Sequence, residues 1–211
     1  MLLKVPFYKN DAEGIQCLQV AMQIVLKYYL NKEYSLKELD KLTGRKKGFW
    51  TWTPQIITVL FDLGLDSIYY SKTPLEPFLK GESFIREHFG QKDAEEMIKN
   101  SDIPVIVESI KKTLDYSLFQ TKDLQIADLE KALDNNQLPM VMIDYNKLIL
   151  KDEPYSGHFI VLTGYDAENI FYHESGPRDI EPNRKISKED FLRAWEANGT
   201  DKDCIIIRGK R

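Results

Sequence analysis

Residues 16–30 read QCLQVAMQIVLKYYL, and this stretch decides how the first part of the chain folds. Its apolar residues recur at intervals of three and four between Leu18 and Tyr29, which is the pattern of a helix buried along one broad face. The preceding residues 10–15, NDAEGI, are typical of a turn. The sequence therefore predicts that Cys17 lies at the N-terminus of a buried helix.

The composition indicates one compact domain. The chain has 211 residues, of which 43% are hydrophobic, and this is enough for a substantial core. Its formal net charge of −4 provides no basic excess to neutralise a phosphate backbone, so we expect no nucleic-acid partner. The N-terminal segment MLLKVPFYKN contains no apolar run long enough for a signal peptide or a membrane span. We therefore expect a soluble, cytoplasmic protein that does not bind membranes.

Helix signals dominate the first half of the chain. Ser35 and Glu38 form a capping-box pattern that begins a second helix ending near Gly44, and Pro54 is well placed as the first residue of a third. Residues 74–112 are rich in charged residues and helix formers, so a small helical insertion is predicted there.

Strand signals dominate the second half. The nearly all-apolar LPMVMIDY (138–145) is typical of a central strand, and HFIVLTGY (158–165) with IFYHE (170–174) predicts a β-hairpin. Ser187 caps a further helix, and CIIIRG (204–209) supplies a last strand. Helices first and strands later predict a single α+β domain over 1–211, with a helical N-terminal part packed on a C-terminal antiparallel sheet.

Two residues form a candidate nucleophile and base. A thiol at a helix N-terminus lies at the positive end of the helix dipole, which favours the reactive thiolate of Cys17. The alternative is that Cys17 is simply a small buried apolar residue. His158 follows a glycine and opens a strongly apolar strand, whose end could hold the imidazole against a helix N-terminus. Cys204 lies far along the chain, and we expect both thiols to be free.

A Cys–His pair needs a third group that fixes the imidazole tautomer. If Gly164 pairs with Glu168 in the hairpin, Glu174 lies directly opposite His158 on one sheet face. A register slip of one residue would present His173 or Ser175 instead. Periodicity alone leaves these alternatives open.

Several blocks of the sequence, in this order, resemble the C39-like peptidase family: VPFYKN (5–10), Gln16-Cys17 at the head of a helix, LEKALDNNQLPMVMID (129–144), GHFIVLTGYD (157–166), FYHESGP (171–177) and ISKEDFLRAW (186–195). The resemblance implies a papain-like cysteine peptidase fold. In that family the helix-start cysteine is the nucleophile, the histidine opening the strand is the base, and an acidic residue on the next strand orients it. These roles fall on Cys17, His158 and Glu174.

The chain departs from the family pattern at three positions. Leu18 follows the cysteine where glycine is usual, and Glu174 stands in place of aspartate. Asn10 occupies the place of the glutamine that helps to form the oxyanion hole, and Gln16 is a second candidate for that donor.

The function implied is hydrolysis of a peptide or related amide or isopeptide bond by a Cys-His-Glu triad, with a peptide or protein as substrate. The chemistry requires no cofactor and no metal, and the two cysteines have no partners at zinc-ligand spacing. One alternative is an acyltransferase on the same fold, in which an amine or thiol replaces water. Another is a catalytically weak peptide-binding module, which the three departures suggest and the retention of all three triad residues opposes.

Overall fold

The computed structural model describes residues 1–11, 14–176 and 179–211. It is an α+β fold in which helices dominate the N-terminal part and a sheet dominates the C-terminal part, as predicted. Two residues of the predicted first turn, Ala12 and Glu13, lie outside the described residues. Within those residues, no helix has the length and apolar character needed to cross a bilayer.

The first three helices are α1 (Cys17–Leu30), α2 (Leu36–Thr43) and α3 (Thr53–Asp62). As predicted, α1 begins at Cys17 and α2 follows Ser35, whereas α3 begins at Thr53, one residue before the predicted start. Ser35 and Glu38 form both hydrogen bonds of the capping box, and α2 ends at Gly44 in the left-handed region with φ 70°. Pro54 is the second residue of α3, where its missing N–H costs no helical hydrogen bond.

The middle of the chain is helical as well. A 3-10 helix (Glu76–Lys80) leads into α4 (Glu82–Phe89), α5 (Gln91–Lys99) and α6 (Ile103–Asp115). The apolar face of α6 contributes Ile106 and Ile110 to the same core that contains α1 and α3.

The remaining elements are the sheet and three helices that border it. The strands are β1 (Leu65–Ser71), β2 (Phe119–Thr121), β3 (Leu138–Asp144), β4 (Gly157–Tyr165), β5 (Asn169–Glu174), β6 (Glu181–Ser187) and β7 (Cys204–Lys210). The helices are α7 (Ile126–Asp134), α8 (Tyr145–Leu148) and α9 (Lys188–Trp195).

The strands form one sheet in the order β2-β1-β7-β3-β4-β5-β6. Neighbouring strands are antiparallel as predicted, except that β1 and β2 pair in parallel at one edge. Both faces of the sheet are covered, which explains why β3 is apolar at almost every position. On β3, Met140 packs in the core with α1 and α3, whereas Val141 and Ile143 pack in the second core with α7 and α9.

The predicted hairpin register is wrong. Gly164 pairs with Phe171 and not with Glu168, because Asp166 accepts backbone hydrogen bonds from Glu168 and Asn169 and thereby closes the turn within the loop. A β-bulge follows at once, because Thr163 is an extra residue between two paired positions of β4.

The corrected register keeps Glu174 on the face of His158. The last pair of the ladder is Val161 with His173, and extending this register by one residue places Glu174 level with Ile160, two residues from His158 on the same face. The predicted register was wrong by an even number of residues at this level, and an even shift leaves a side chain on its original face.

Candidate active site

Cys17 is the first residue of α1, and its thiol lies at the helix N-terminus beside the start of β4. Burial by itself would raise the pKa of Cys17. The hydrogen bond and charge of His158, together with the backbone N–H groups of Phe159 and Leu18, outweigh burial and hold the pKa below its ordinary value. The site therefore favours the thiolate, which is the nucleophilic form.

His158 is held between a thiol and a carboxylate. Its Nε2 lies 3.0 Å from Oε1 of Glu174, and the two side chains are only 8% and 0% exposed. Burial would lower the pKa of His158, but the hydrogen bonds and charges of Cys17 and Glu174 raise it to about 10. Since Nε2 is directed at the carboxylate, Nδ1 is the ring nitrogen available to the thiol.

Glu174 is the last residue of β5 and is fully buried. Its Oε1 accepts a second hydrogen bond, from the backbone N–H of Gly176 at 3.0 Å. Its Oε2 is buried without a hydrogen-bond partner among the described residues. A buried carboxylate is costly unless it is paired, so the interaction with His158 matters for the stability of the site as well as for its orientation.

The hydrogen bonds formed by the two alternatives to Glu174 do not involve His158. The Nε2 of His173 lies 3.2 Å from the carbonyl oxygen of Val5, and its Nδ1 accepts from the backbone N–H of Asn183 at 3.1 Å. Ser175 uses its backbone carbonyl to accept from the backbone N–H of Asn10 at 2.8 Å. Of the three residues that sequence reasoning left open, Glu174 is the one hydrogen-bonded to His158.

The two candidate oxyanion donors, Gln16 and Asn10, differ in whether the side-chain amide already donates a hydrogen bond. Gln16 donates from Nε2 to Oδ2 of Asp40 at 2.8 Å, an oxygen that also binds Nη1 of Arg45. Asn10 accepts from the backbone N–H of Asp11 through Oδ1, and its Nδ2 is buried without a partner among the described residues. The amide of Asn10 is thus the uncommitted donor.

Sequence reasoning missed two aromatic residues near His158. Tyr145, the first residue of α8, contacts the His158 ring edge to face, with ring centroids 5.4 Å apart. Since Ile143 pairs with His158, a correct β3–β4 register would have pointed to this end of β3.

The second is Tyr155, which is 44% exposed and lies against two glycines. A Cβ added to Gly157 would lie 2.8 Å from its hydroxyl oxygen, and one added to Gly199 would lie 3.4 Å from its ring. Tyr155 also lines a groove of about 400 Å³ that Asp144 and Arg193 border. No periodicity marks a loop residue of this kind, so the sequence carried no signal for it.

Comparison with known proteins gives a family and a fold. A family model described as guanylylate cyclase matches residues 10–207. No curated protein sequence matches the chain.

Three similar solved structures are peptidase domains. A putative C39-like peptidase from Bacillus anthracis is 13% identical, with a TM-score of 0.58 over 100% of this chain and 98% of that one. The peptidase domain of Streptococcus ComA, a bifunctional ABC transporter, is 15% identical, with a TM-score of 0.51 over 98% of each chain. A double glycine motif protease from an AMS/PCAT transporter, in complex with the leader peptide, is 13% identical, with a TM-score of 0.50 over 98% and 93%. At these identities the likeness shows the fold alone.

Proposed function

The chain belongs to the guanylylate cyclase family, and we propose that it is a cysteine peptidase-like hydrolase that cleaves a peptide or a related amide or isopeptide bond. The observation that carries the proposal is the buried 3.0 Å hydrogen bond between His158 and Glu174, next to a thiol whose pKa is lowered. Covalent acyl transfer needs a thiol in contact with an imidazole, which is in turn held by a carboxylate.

In the proposed reaction, the Cys17 thiolate attacks the substrate carbonyl carbon and forms a tetrahedral oxyanion. His158, as the imidazolium, then gives its proton to the leaving amine, and the acyl group remains on sulfur as a thioester. His158 next removes a proton from water, which attacks the thioester and releases the acid. Glu174 keeps the imidazole in one orientation and stabilises its positive charge.

Two donors are proposed for the oxyanion. The backbone N–H of Cys17 is at the first turn of α1, where N–H groups have no partner inside the helix. The Nδ2 group of Asn10 is buried and uncommitted, and an unpaired buried donor is costly unless a bound group accepts from it. A carbonyl oxygen that becomes negative would be such an acceptor.

We propose a peptide or protein as the substrate. The double glycine motif protease, which shares this fold, is described in complex with a leader peptide. In this chain, Tyr155 and Asp144 border a groove of about 400 Å³, in which we propose that an extended peptide binds.

Two other functions share this fold. An acyltransferase would form the same thioester and resolve it with an amine or a thiol, and a peptide-binding module would use the groove without turnover. Because the description of the family also names a cyclase, the experiment should measure the formation of a cyclic guanine nucleotide from GTP as well as hydrolysis.

The test combines labelling and turnover. Iodoacetamide labelling across pH, read by mass spectrometry, should modify Cys17 at lower pH than an ordinary thiol and leave Cys204 unmodified in the folded protein, because burial raises the pKa of Cys204. Hydrolysis of p-nitrophenyl acetate and of a peptide pool should disappear in Cys17→Ala and persist in Cys204→Ala. Equal labelling of both cysteines, or cyclic nucleotide formation that survives Cys17→Ala without any hydrolysis, would overturn the proposal.

A further inference from the structure

His173 is a buried titratable residue that the proposed reaction does not use. It precedes Glu174 on β5, so its side chain points to the opposite face of the sheet, and it is 1% exposed. Its Nδ1 accepts a hydrogen bond from the backbone N–H of Asn183, so Nδ1 carries no proton. The neutral ring therefore carries its proton on Nε2, which donates to the carbonyl oxygen of Val5. Both ring nitrogens are thus engaged with backbone groups.

The group bound by Nε2 belongs to the segment that carries Asn10. Residues 3–10 form no regular helix or strand and cross the sheet beside β4 and β5. Leu3 is attached by its N–H to the carbonyl of Thr163 at 2.8 Å, and Asn10 by its N–H to the carbonyl of Ser175 at 2.8 Å. Between these two attachments, His173 binds the carbonyl of Val5 and contacts the ring of Phe7 edge to face at 5.1 Å.

Glu174 and its two neighbours in the sequence therefore contact both His158 and the segment that carries Asn10. Glu174 points to one face and binds the base, whereas His173 and Ser175 hold the segment that ends at Asn10. An oxyanion donor contributes to rate only if it is held at the place where the charge develops. We propose that His173 is a positioning residue that fixes the amide of Asn10 relative to the Cys17 thiol by tying down residues 5–10. This inference rests on the proposed function.

A competing role exists on the other side of the ring. The β5–β6 ladder is irregular at this point, since Tyr172 pairs with Arg184 and Glu174 with Glu181. The N–H of Asn183 is thereby left out of the ladder, and His173 accepts from it. If the role of His173 were to bind the N–H of Asn183, a substitution of His173 would disturb β6 and leave Asn10 unchanged.

Two amide substitutions separate the roles. In His173→Gln the amide nitrogen can replace Nε2 as donor to Val5, but the acceptor for Asn183 is lost. In His173→Asn the amide oxygen can replace Nδ1 as acceptor, but the donor to Val5 is lost. Circular dichroism and thermal unfolding establish that each variant is folded.

Three measurements are made on each variant: exchange of the Asn10 backbone amide by NMR, kcat and KM for p-nitrophenyl acetate, and the rate of iodoacetamide alkylation of Cys17. We expect His173→Asn to speed Asn10 amide exchange about 10-fold and to lower kcat about 10-fold, with KM unchanged. Alkylation, which forms no oxyanion, should keep its wild-type rate. His173→Gln should stay within about 3-fold of wild type in all three measurements.

A double-mutant cycle links the effect to Asn10. Asn10→Ala alone should lower kcat about 100-fold, and adding His173→Asn should lower it little further, because both changes remove the same donor. Additive losses would mean that His173 acts by another route. Should either His173 variant fail to fold, Phe7→Leu, which removes the edge contact with the ring, is expected to show the same pattern at smaller size.

The measurements distinguish failure of the inference on His173 from failure of the proposed function. Wild-type exchange and kcat in His173→Asn, or impairment of His173→Gln alone, would overturn the inference and assign His173 to the β5–β6 irregularity. If ester hydrolysis is the same in wild type and Cys17→Ala, the proposed function fails and the catalytic half of this inference fails with it. Amide exchange at Asn10 then still decides whether His173 holds the segment.

Discussion

At the residue scale, the site depends on a balance between burial and charge. Burial disfavours charge on Cys17 and on His158, yet the pKa of the thiol is lowered and that of the imidazole is raised to about 10. Each shift requires the partner to carry the opposite charge, so the thiolate and the imidazolium stabilise each other. Glu174 adds a second negative charge beside the ring and thereby strengthens the imidazolium.

Glu174→Gln tests this balance. The amide can still bind the ring, but it lacks the charge, so the pKa of His158 should fall and the apparent pKa of the Cys17 thiol should rise. The pH profile of Cys17 alkylation should therefore move upward, and hydrolysis should fall by about two orders of magnitude or more.

Ser175→Ala is the matched control for Glu174→Gln, since the structural contact of Ser175 is its backbone carbonyl, which the substitution keeps. Its alkylation profile should stay in place. A shifted profile in Ser175→Ala together with an unchanged one in Glu174→Gln would reverse the assignment of the third residue.

At the element scale, the β4–β5 hairpin decides which side chain reaches His158. Near the turn, Tyr165 pairs with Ile170, and without the bulge at Thr163 this pairing would continue to Glu174 opposite Val161. Glu174 would then lie on the face opposite His158. One extra residue in β4 returns Glu174 to the face of His158, and periodicity cannot reveal such a residue because the strand remains apolar throughout.

The N-terminal segment packs against this bulge, and Gly164 makes room for it. A Cβ at Gly164 would lie 2.3 Å from the carbonyl oxygen of Met1 and 2.8 Å from Cα of Leu2, both of which are backbone atoms. Gly164→Ala should therefore lower the free energy of unfolding by about 1–3 kcal/mol, measured in urea.

Gly157→Ala is the control on the same strand. There the added Cβ meets side-chain atoms alone, the hydroxyl end of Tyr155 at 2.8 Å and Sδ of Met142 at 3.5 Å, and the tyrosine can rotate away, so the cost should be smaller. Equal costs for the two substitutions would show that the backbone approach at Gly164 is not tight.

At the scale of the whole molecule, the sequence predicted the α+β class, the order of the main elements and the helix start at Cys17. These features depend on local signals: caps at Ser35 and Gly44, apolar periodicity in α1, and apolar runs in β3 and β7. The hairpin register, the parallel β1–β2 pair and strand β6 could not be predicted. They depend on one bulged residue, a three-residue strand and the polar sequence EPNRKIS, none of which has a periodic signal.

The helical segment between β1 and β2 shares its core with the rest of the fold. Ile106 of α6 is buried in the same cluster as Ile57 of α3. We expect Ile106→Ala and Ile57→Ala each to cost about 2–5 kcal/mol in the free energy of unfolding, in a single transition monitored by circular dichroism and by tryptophan fluorescence. Two separate transitions in Ile106→Ala would contradict this and identify the segment as an independently folding unit.

The separation of the two cysteines has a consequence for oxidation. Cys17 lies at the N-terminus of α1 beside His158, whereas Cys204 is fully buried within the second apolar core. Peroxide attacks the thiolate form, so we expect Cys17 to become the sulfenic acid while Cys204 stays reduced. Because Cys204 is free but fully buried, we expect it not to act as a resolving thiol, so that a small thiol from the medium such as glutathione is needed to return Cys17 to its reduced state.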